Sequence, residues 1–129
     1  MELQEKHLFE YAVIRVVPRV DRGEFINAGV ILYCRPHKFL RSQFELSQER
    51  LRAFGGIDAG TIEEHLQAFE RICRGDKDSG PIGRLPIGER FRWLTAPRST
   101  IVQTSAVHTG LCTDPAETLE TLVAKLVLT

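Results

Sequence analysis

The chain has 129 residues, of which 43% are hydrophobic and 26% charged, and its 17 basic residues balance its 17 acidic ones. This length and composition are typical of one globular domain whose core needs no metal or disulfide support. A neutral chain argues against nucleic-acid binding, which usually requires a basic excess. We therefore expect a single domain over residues 1–129.

The cysteines and histidines give no sign of a disulfide framework or a metal site. Cys34, Cys73 and Cys112 are widely spaced and form no C-x-x-C pair, and the four histidines lack metal-ligand spacing. The first residues do not resemble a signal peptide, and no apolar run approaches the length of a membrane span. We expect a cytoplasmic protein with reduced thiols, no cofactor and no membrane association.

Residues 11–46 predict three consecutive strands. Tyr11–Val17 and Phe25–Cys34 are apolar runs with β-branched residues, and Tyr11–Val17 is apolar on both faces, as expected of a central strand. A charged turn over residues 19–24 joins them, with Gly23 available for a positive φ. Phe39–Leu46 is predicted as a third strand, connected by a hairpin.

Polar residues within the central strands are the first site candidates. Alternation places Arg15 on an otherwise apolar face, so we expect it to have an anionic partner or an opening to solvent. In the second strand, alternation places Asn27 and Gly29 on one face with Ile31 and Tyr33. A glycine at position 29 also predicts a bulge or the close approach of another backbone.

Three helices are predicted from caps and apolar periodicity. Ser47 is an N-cap for a short helix ending at Phe54, and the T-I-E-E sequence at Thr61 is a capping box for a second helix that stops at Gly75. Asp114 caps the final helix. The buried stripe of that helix is predicted to be Leu119, Leu122, Val123, Leu126 and Val127.

Between these helices the pattern is weaker. Residues 75–88 are rich in Gly and Pro and predict an ordered loop over the core, whereas residues 89–96 fit either a strand or, as we favour, a short helix. Ser99–Ala106 predicts a last strand and residues 108–112 a turn. The fold class expected is α+β, with an antiparallel sheet of about four strands and helices packed mainly on one face.

Several polar residues occupy positions where packing alone would favour apolar ones. Simple alternation also places Thr104 and His108 on one face of the last strand. Two accounts fit these residues: an internal hydrogen-bond network, or a polar pocket that binds an anion or peptide through Arg15 and Arg98. The candidates are Arg15, Asn27, Arg98, Thr100, Gln103, Ser105 and His108.

A catalytic interpretation would use His108 as a base and Cys112 as a nucleophile, four residues apart. No third residue is placed to orient the histidine, and no oxyanion-hole signature is present. Asp114 would raise the thiol pKa by charge repulsion. We expect Cys112 to be buried and inert.

Several motifs together resemble the bacterial domain of unknown function 3037. They are YAVIRVVP, GEFINAGVIL, GPIGRL, ERFRWLTAPRST and QTSAVHTGLCTDP, and they cover nearly the whole chain. The resemblance implies no activity, but it adds Glu24 to the candidate residues. Members of that family are often encoded beside a small HipA-like kinase, which implies such a kinase as a partner.

Two functions follow as expectations. The leading one is a non-enzymatic binding or regulatory module, partnered with a HipA-like kinase in a toxin–antitoxin-like pair. The alternative is a small hydrolase or transferase in which His108 acts as base while Arg98 and Arg15 hold an anionic substrate. Convergence of four residues in one concave pocket would favour the enzyme, namely Arg15, Asn27, Arg98 and His108, whereas their spread over an exposed apolar patch would favour an interface.

Overall fold

The centre of the fold is a five-stranded antiparallel sheet in which β1 has neighbours along both edges. The computed structural model describes residues 5–17, 23–54 and 58–128. The sheet order is β3-β2-β1-β4, and β5 follows β4 along the same edge of β1. The strands are β1 (His7–Val16), β2 (Ile26–Cys34), β3 (Phe39–Phe44), β4 (Val102–Thr104) and β5 (His108–Cys112).

The described residues form five α-helices. They are α1 (Gln48–Phe54), α2 (Ala59–Arg74), α3 (Gly80–Gly83), α4 (Ile87–Leu94) and α5 (Pro115–Leu126). Leu51 of α1 and the apolar stripes of α2 and α4 pack on one face of the sheet, and the stripe of α5 packs on the other. The predicted α+β single-domain class is therefore confirmed, with α5 as the helix on the second face.

Several local predictions are confirmed. Ser47 accepts the backbone N–H of Arg50 at 3.3 Å at the start of α1, and Gly75 ends α2 with a left-handed φ of 71°. Gly23 also has a positive φ, 67°, whereas the rest of the predicted turn, residues 19–22, lies outside the described residues. Residues 87–94 form helix α4, as we favoured.

Two other local predictions are wrong. Helix α2 begins at Ala59, before the predicted capping box at Thr61, and Asp58 occupies the position that precedes the helix. Residues 75–88 are not a loop without regular structure, because they contain a 3-10 turn (Lys77–Ser79) and helix α3. Pro81 suits the first turn of α3, where a missing N–H costs no hydrogen bond.

β2 contains a bulge, which the glycine at position 29 predicted. Ile14 of β1 is opposite Gly29, but the next residue, Arg15, is opposite Asn27, so Ala28 has no partner on β1. An extra residue of this kind shifts the alternation of side chains by one position.

The bulge separates residues that simple alternation placed together. Ile31 and Tyr33 pack on the α2 side of the sheet, whereas the Asn27 amide donates to the Leu126 carbonyl of α5 at 3.0 Å. The prediction that Asn27 shares a face with Ile31 and Tyr33 is therefore wrong.

Along the outer edge of β1, the predicted turn at residues 108–112 is instead strand β5. Ser105 lies between β4 and β5 and keeps both bonded to β1. Its backbone N–H donates to the Val13 carbonyl and its hydroxyl accepts the Val13 N–H, each at 2.9 Å. This serine is buried and fully used inside the fold, as the network account expected.

The pairing register changes by one residue between β4 and β5. Thr104 is opposite Ile14, but His108 is opposite Tyr11, so the two strands do not share one alternation. Because cross-strand partners lie on the same face, Thr104 is on the α2 side and His108 on the α5 side. The prediction that these two residues share a face is wrong.

Candidate functional site

A cleft of about 260 Å³ opens between α2, α4 and β4, and we call it the α2–β4 cleft. Its walls are mainly apolar, and they come from the helices that pack on one face of the sheet and from the edge strand beside them. The lining residues are His65, Ala68, Phe69, Ile72, Trp93, Leu94, Ala96, Arg98, Thr100, Val102, Gln103 and Thr104.

Trp93 is the largest exposed aromatic side chain of the cleft. Phe91 and Leu94 of α4 face the core and are buried, whereas Trp93 lies on the opposite side of the helix and is 37% exposed. We did not select Trp93 as a site residue from the sequence. The available signal was a tryptophan at a position where the helical period predicts a polar residue.

Arg98 is held directly over this tryptophan. Its guanidinium carbon lies 4.1 Å from the centre of the Trp93 ring, and its Nη2 donates to the Trp93 backbone carbonyl. Among the described residues that line the cleft, none is an Asp or Glu. The guanidinium is thus fixed at the edge of an apolar cleft, with further N–H donors suited to an anionic group.

Thr100 and Gln103 shape the cleft from its loop and strand. The Thr100 hydroxyl donates to the Val102 carbonyl at 2.6 Å, and the Gln103 amide donates to the Thr100 carbonyl at 2.9 Å. These bonds form the internal network that was one of our two accounts. Both side chains stabilise the segment that carries Arg98.

Arg15 and Asn27 lie on the other face of the sheet, opposite each other across β1 and β2. The Arg15 guanidinium stacks on the exposed ring of Phe25, with 4.2 Å between its carbon and the ring centre. The Asn27 amide connects β2 to the last carbonyl of α5, that of Leu126. Arg15 is half-buried, its observed partner is an aromatic ring, and its Nε is buried without a hydrogen-bond partner among the described residues.

Glu24 and His108 also lie away from the cleft. Glu24 is exposed just before β2, and the His108 ring lies 5.4 Å from the ring of Tyr11 on the α5 side. Of the eight candidate residues, Arg98, Thr100 and Gln103 line the cleft, although Gln103 is opposite Arg15 in the pairing of β4 with β1. Arg15, Asn27 and His108 share the opposite side of the sheet, so the four residues whose convergence would favour an enzyme do not converge.

Cys112 has the properties of an inert core thiol. It is buried, and this burial raises the pKa of its thiol, which the neighbouring Cys34 and Asp114 raise further. A nucleophilic thiol needs the opposite shift. In the part of the chain that the structure describes, no three His, Cys, Asp or Glu residues are grouped as a metal site requires.

Fold and cleft together define a small α+β domain with an arginine-bearing apolar cleft on one face of its sheet. A family model described as protein of unknown function (DUF3037) matches residues 11–127. The chain therefore belongs to this family, as its motifs indicated. No curated protein and no solved structure matches it significantly. None of the helices described here has both the length and the apolar character needed to cross a bilayer.

Proposed function

We propose that this protein is a binding or regulatory module, not an enzyme, and that its partner is a HipA-like kinase in the cytoplasm. The observation that carries the proposal is the stacked pair of Trp93 and Arg98 at the α2–β4 cleft. The family resemblance suggests the kinase as the partner, and we propose that the kinase binds at the α2–β4 cleft.

Trp and Arg are the residue types that most often dominate binding free energy at protein interfaces. Here a partly exposed Trp93 and an Arg98 are held against each other beside an apolar cavity. The guanidinium is positioned before binding, so the Arg98 side chain loses less conformational freedom when a partner binds. This arrangement favours a partner with an apolar side chain next to a carboxylate.

The alternative function, a hydrolase or transferase with His108 as base, receives less support. It needs Arg98 and Arg15 to hold one substrate near His108. Arg98 lines the α2–β4 cleft, whereas Arg15 and His108 face the side covered by α5. A general base must lie within hydrogen-bond reach of the group it deprotonates.

The test is binding of the purified chain to a HipA-like kinase from the same genome. Trp93→Ala and Arg98→Ala should each weaken binding about tenfold or more, and binding should weaken as salt is added. Arg92→Ala is the matched control, because Arg92 is exposed on α4 but pairs with Glu10 at 2.7 Å, outside the cleft.

Two results would count against the proposal. One is that the kinase does not bind the wild-type chain. The other is that the kinase binds the Trp93→Ala, Arg98→Ala and Arg92→Ala variants equally well, which would remove the cleft from the interface.

A further inference from the structure

The outer edge of β4 leaves backbone groups directed away from the sheet. The Val17 N–H donates to the Ile101 carbonyl at 2.7 Å, and the Ser105 N–H donates to the Val13 carbonyl at 2.9 Å. In an antiparallel ladder, residues that bond to the partner strand alternate with residues that do not. Residues 101, 103 and 105 therefore bond toward β1, and residues 102 and 104 direct their backbone groups outward.

One of these outward groups is already used. The Val102 carbonyl accepts the Thr100 hydroxyl at 2.6 Å. Among the described residues, no backbone group outside the helices and strands bonds to the Val102 N–H. The same is true of the Thr104 N–H and the Thr104 carbonyl. These two donors and one acceptor lie on an edge strand that also forms one wall of the α2–β4 cleft.

The side chains beside this edge suit an extended chain. Residues of an added strand point alternately to the two faces of the sheet. Those on the α2 side would enter the cleft next to Phe69 and Trp93, and a carboxylate there would meet Arg98. With no Asp or Glu among the described lining residues, the charge in the cleft favours an acidic segment over a basic one.

We infer that the partner of this protein binds through an extended acidic–apolar peptide segment that adds a strand to the outer edge of β4. Backbone hydrogen bonds to residues 102 and 104 provide affinity, and the cleft selects the side chains, as in other cases of strand addition. This inference rests on the proposed binding function and names the chemistry of the segment that is recognised.

The substitution Thr104→Pro tests the edge directly. Proline removes the outward N–H and is tolerated on edge strands where that N–H faces solvent, so we expect the sheet to remain intact. Thr104→Val is the matched control, because it keeps the N–H and loses only the hydroxyl, which donates to the Thr95 carbonyl at 3.4 Å. Circular dichroism and thermal unfolding check that both variants fold.

The probe is a display library of random peptides roughly ten residues long, enough to exceed an average strand. Wild-type protein and the Thr104→Val variant should enrich peptides that carry Asp or Glu and apolar residues at alternate positions. The Thr104→Pro variant should not enrich them, and each enriched peptide should bind it about tenfold more weakly or worse.

N-methylation of the enriched peptides, one residue at a time, supplies the signature of a strand. Only alternate residues bond to β4, so affinity should fall at every second position and stay unchanged between. Equal enrichment by Thr104→Pro would overturn the inference, and so would affinity loss without alternation. A concentration-dependent dimer that Thr104→Pro abolishes would also overturn it, because a second copy would then be the occupant of the edge.

The kinase experiment separates this inference from the proposed function. A kinase that binds wild-type and Thr104→Pro proteins equally overturns strand addition and leaves the binding function standing. A kinase that fails to bind at all overturns the proposed partner, while an alternating N-methylation profile would still support the peptide site.

Discussion

The two faces of the sheet are covered in different ways. On one face, α5 packs on β1, β2 and β5 and closes that side with a single helix. On the other face, a larger cluster joins the sheet to α1, α2 and α4, yet the space beside β4 stays open as the α2–β4 cleft. A short edge strand under two helices leaves a gap that a helix over the sheet centre does not.

The contrast indicates a division of roles. Side chains of the buried cluster under α5 mainly stabilise the fold, and on the same face the Asn27 amide bonds to the Leu126 carbonyl while Arg15 stacks on Phe25. Side chains around the cleft are more exposed, and Trp93 and Arg98 contribute contact surface that the fold does not use. Substitutions on the two faces should therefore differ in their effects on stability and on binding.

The largest effect is expected at Leu119, which is 1% exposed in the centre of α5. Leu119→Ala should lower the free energy of unfolding by about 2–5 kcal/mol, through lost burial and a residual cavity. Chemical denaturation measures this change. Leu122→Ala is the control on the same helix and should cost less, because Leu122 is half-buried. If Trp93→Ala destabilised the protein as much as Leu119→Ala, the division of roles would be wrong.

Gly29 lies beside the bulge that determines the side of the sheet that each β2 residue faces. A Cβ at this position would lie 2.8 Å from Cδ1 of Phe44 and would also meet the backbone of Gln43 in β3. Gly29→Ala should therefore destabilise the fold by about 1–3 kcal/mol. Gly60→Ala is the control, since Gly60 is exposed in α2 and its nearest neighbour is the side chain of Asp58. Equal thermal stability of the two variants would contradict tight packing at the bulge.

Asp114 caps the N-terminus of α5, just after the end of β5. Its carboxylate accepts the N–H groups of Ala116 and Glu117 at 3.1 and 3.3 Å. Asp114→Ala should cost about 0.5–2 kcal/mol in thermal or denaturant unfolding, and Asp114→Asn, which keeps an acceptor, should cost less. A loss confined to α5 would appear as faster hydrogen exchange in that helix while α2 stays protected.

The smallest effect is expected at the thiols. Burial raises the pKa of Cys73 from 9.0 to about 11, and it raises the pKa of Cys112 as well. Alkylation of the folded protein should therefore be slow at neutral pH, and Cys112→Ser should leave kinase binding unchanged. Fast alkylation of Cys112 with a midpoint below that of a free thiol would instead support catalysis.

The Cys73 shift also has a consequence for stability. Above pH 9.0 the thiol ionises in the unfolded chain but stays neutral in the folded protein until about pH 11, so stability falls as the pH rises through this window. In Cys73→Ala, the decline between these two pH values should be shallower.

Much of the fold followed from local patterns. The buried stripe of α2, the capping of α5 by Asp114 and the central position of β1 each depend on residues close in sequence. Arg98, a candidate named from the sequence, is among the residues that line the cleft. The family assignment rests on such motifs as well.

The side of the sheet on which each polar residue lies depends on strand pairing, which the sequence did not predict. One-residue shifts, at Ala28 in β2 and between Ser105 and His108, reverse the alternation that the sequence predicts. They place Asn27 and His108 across the sheet from the cleft. A strand has a side-chain period of two, so a single extra residue moves every later side chain to the other face. Gly29 indicated a bulge in β2, but the pairing of distant strands determines which residue is left unpaired.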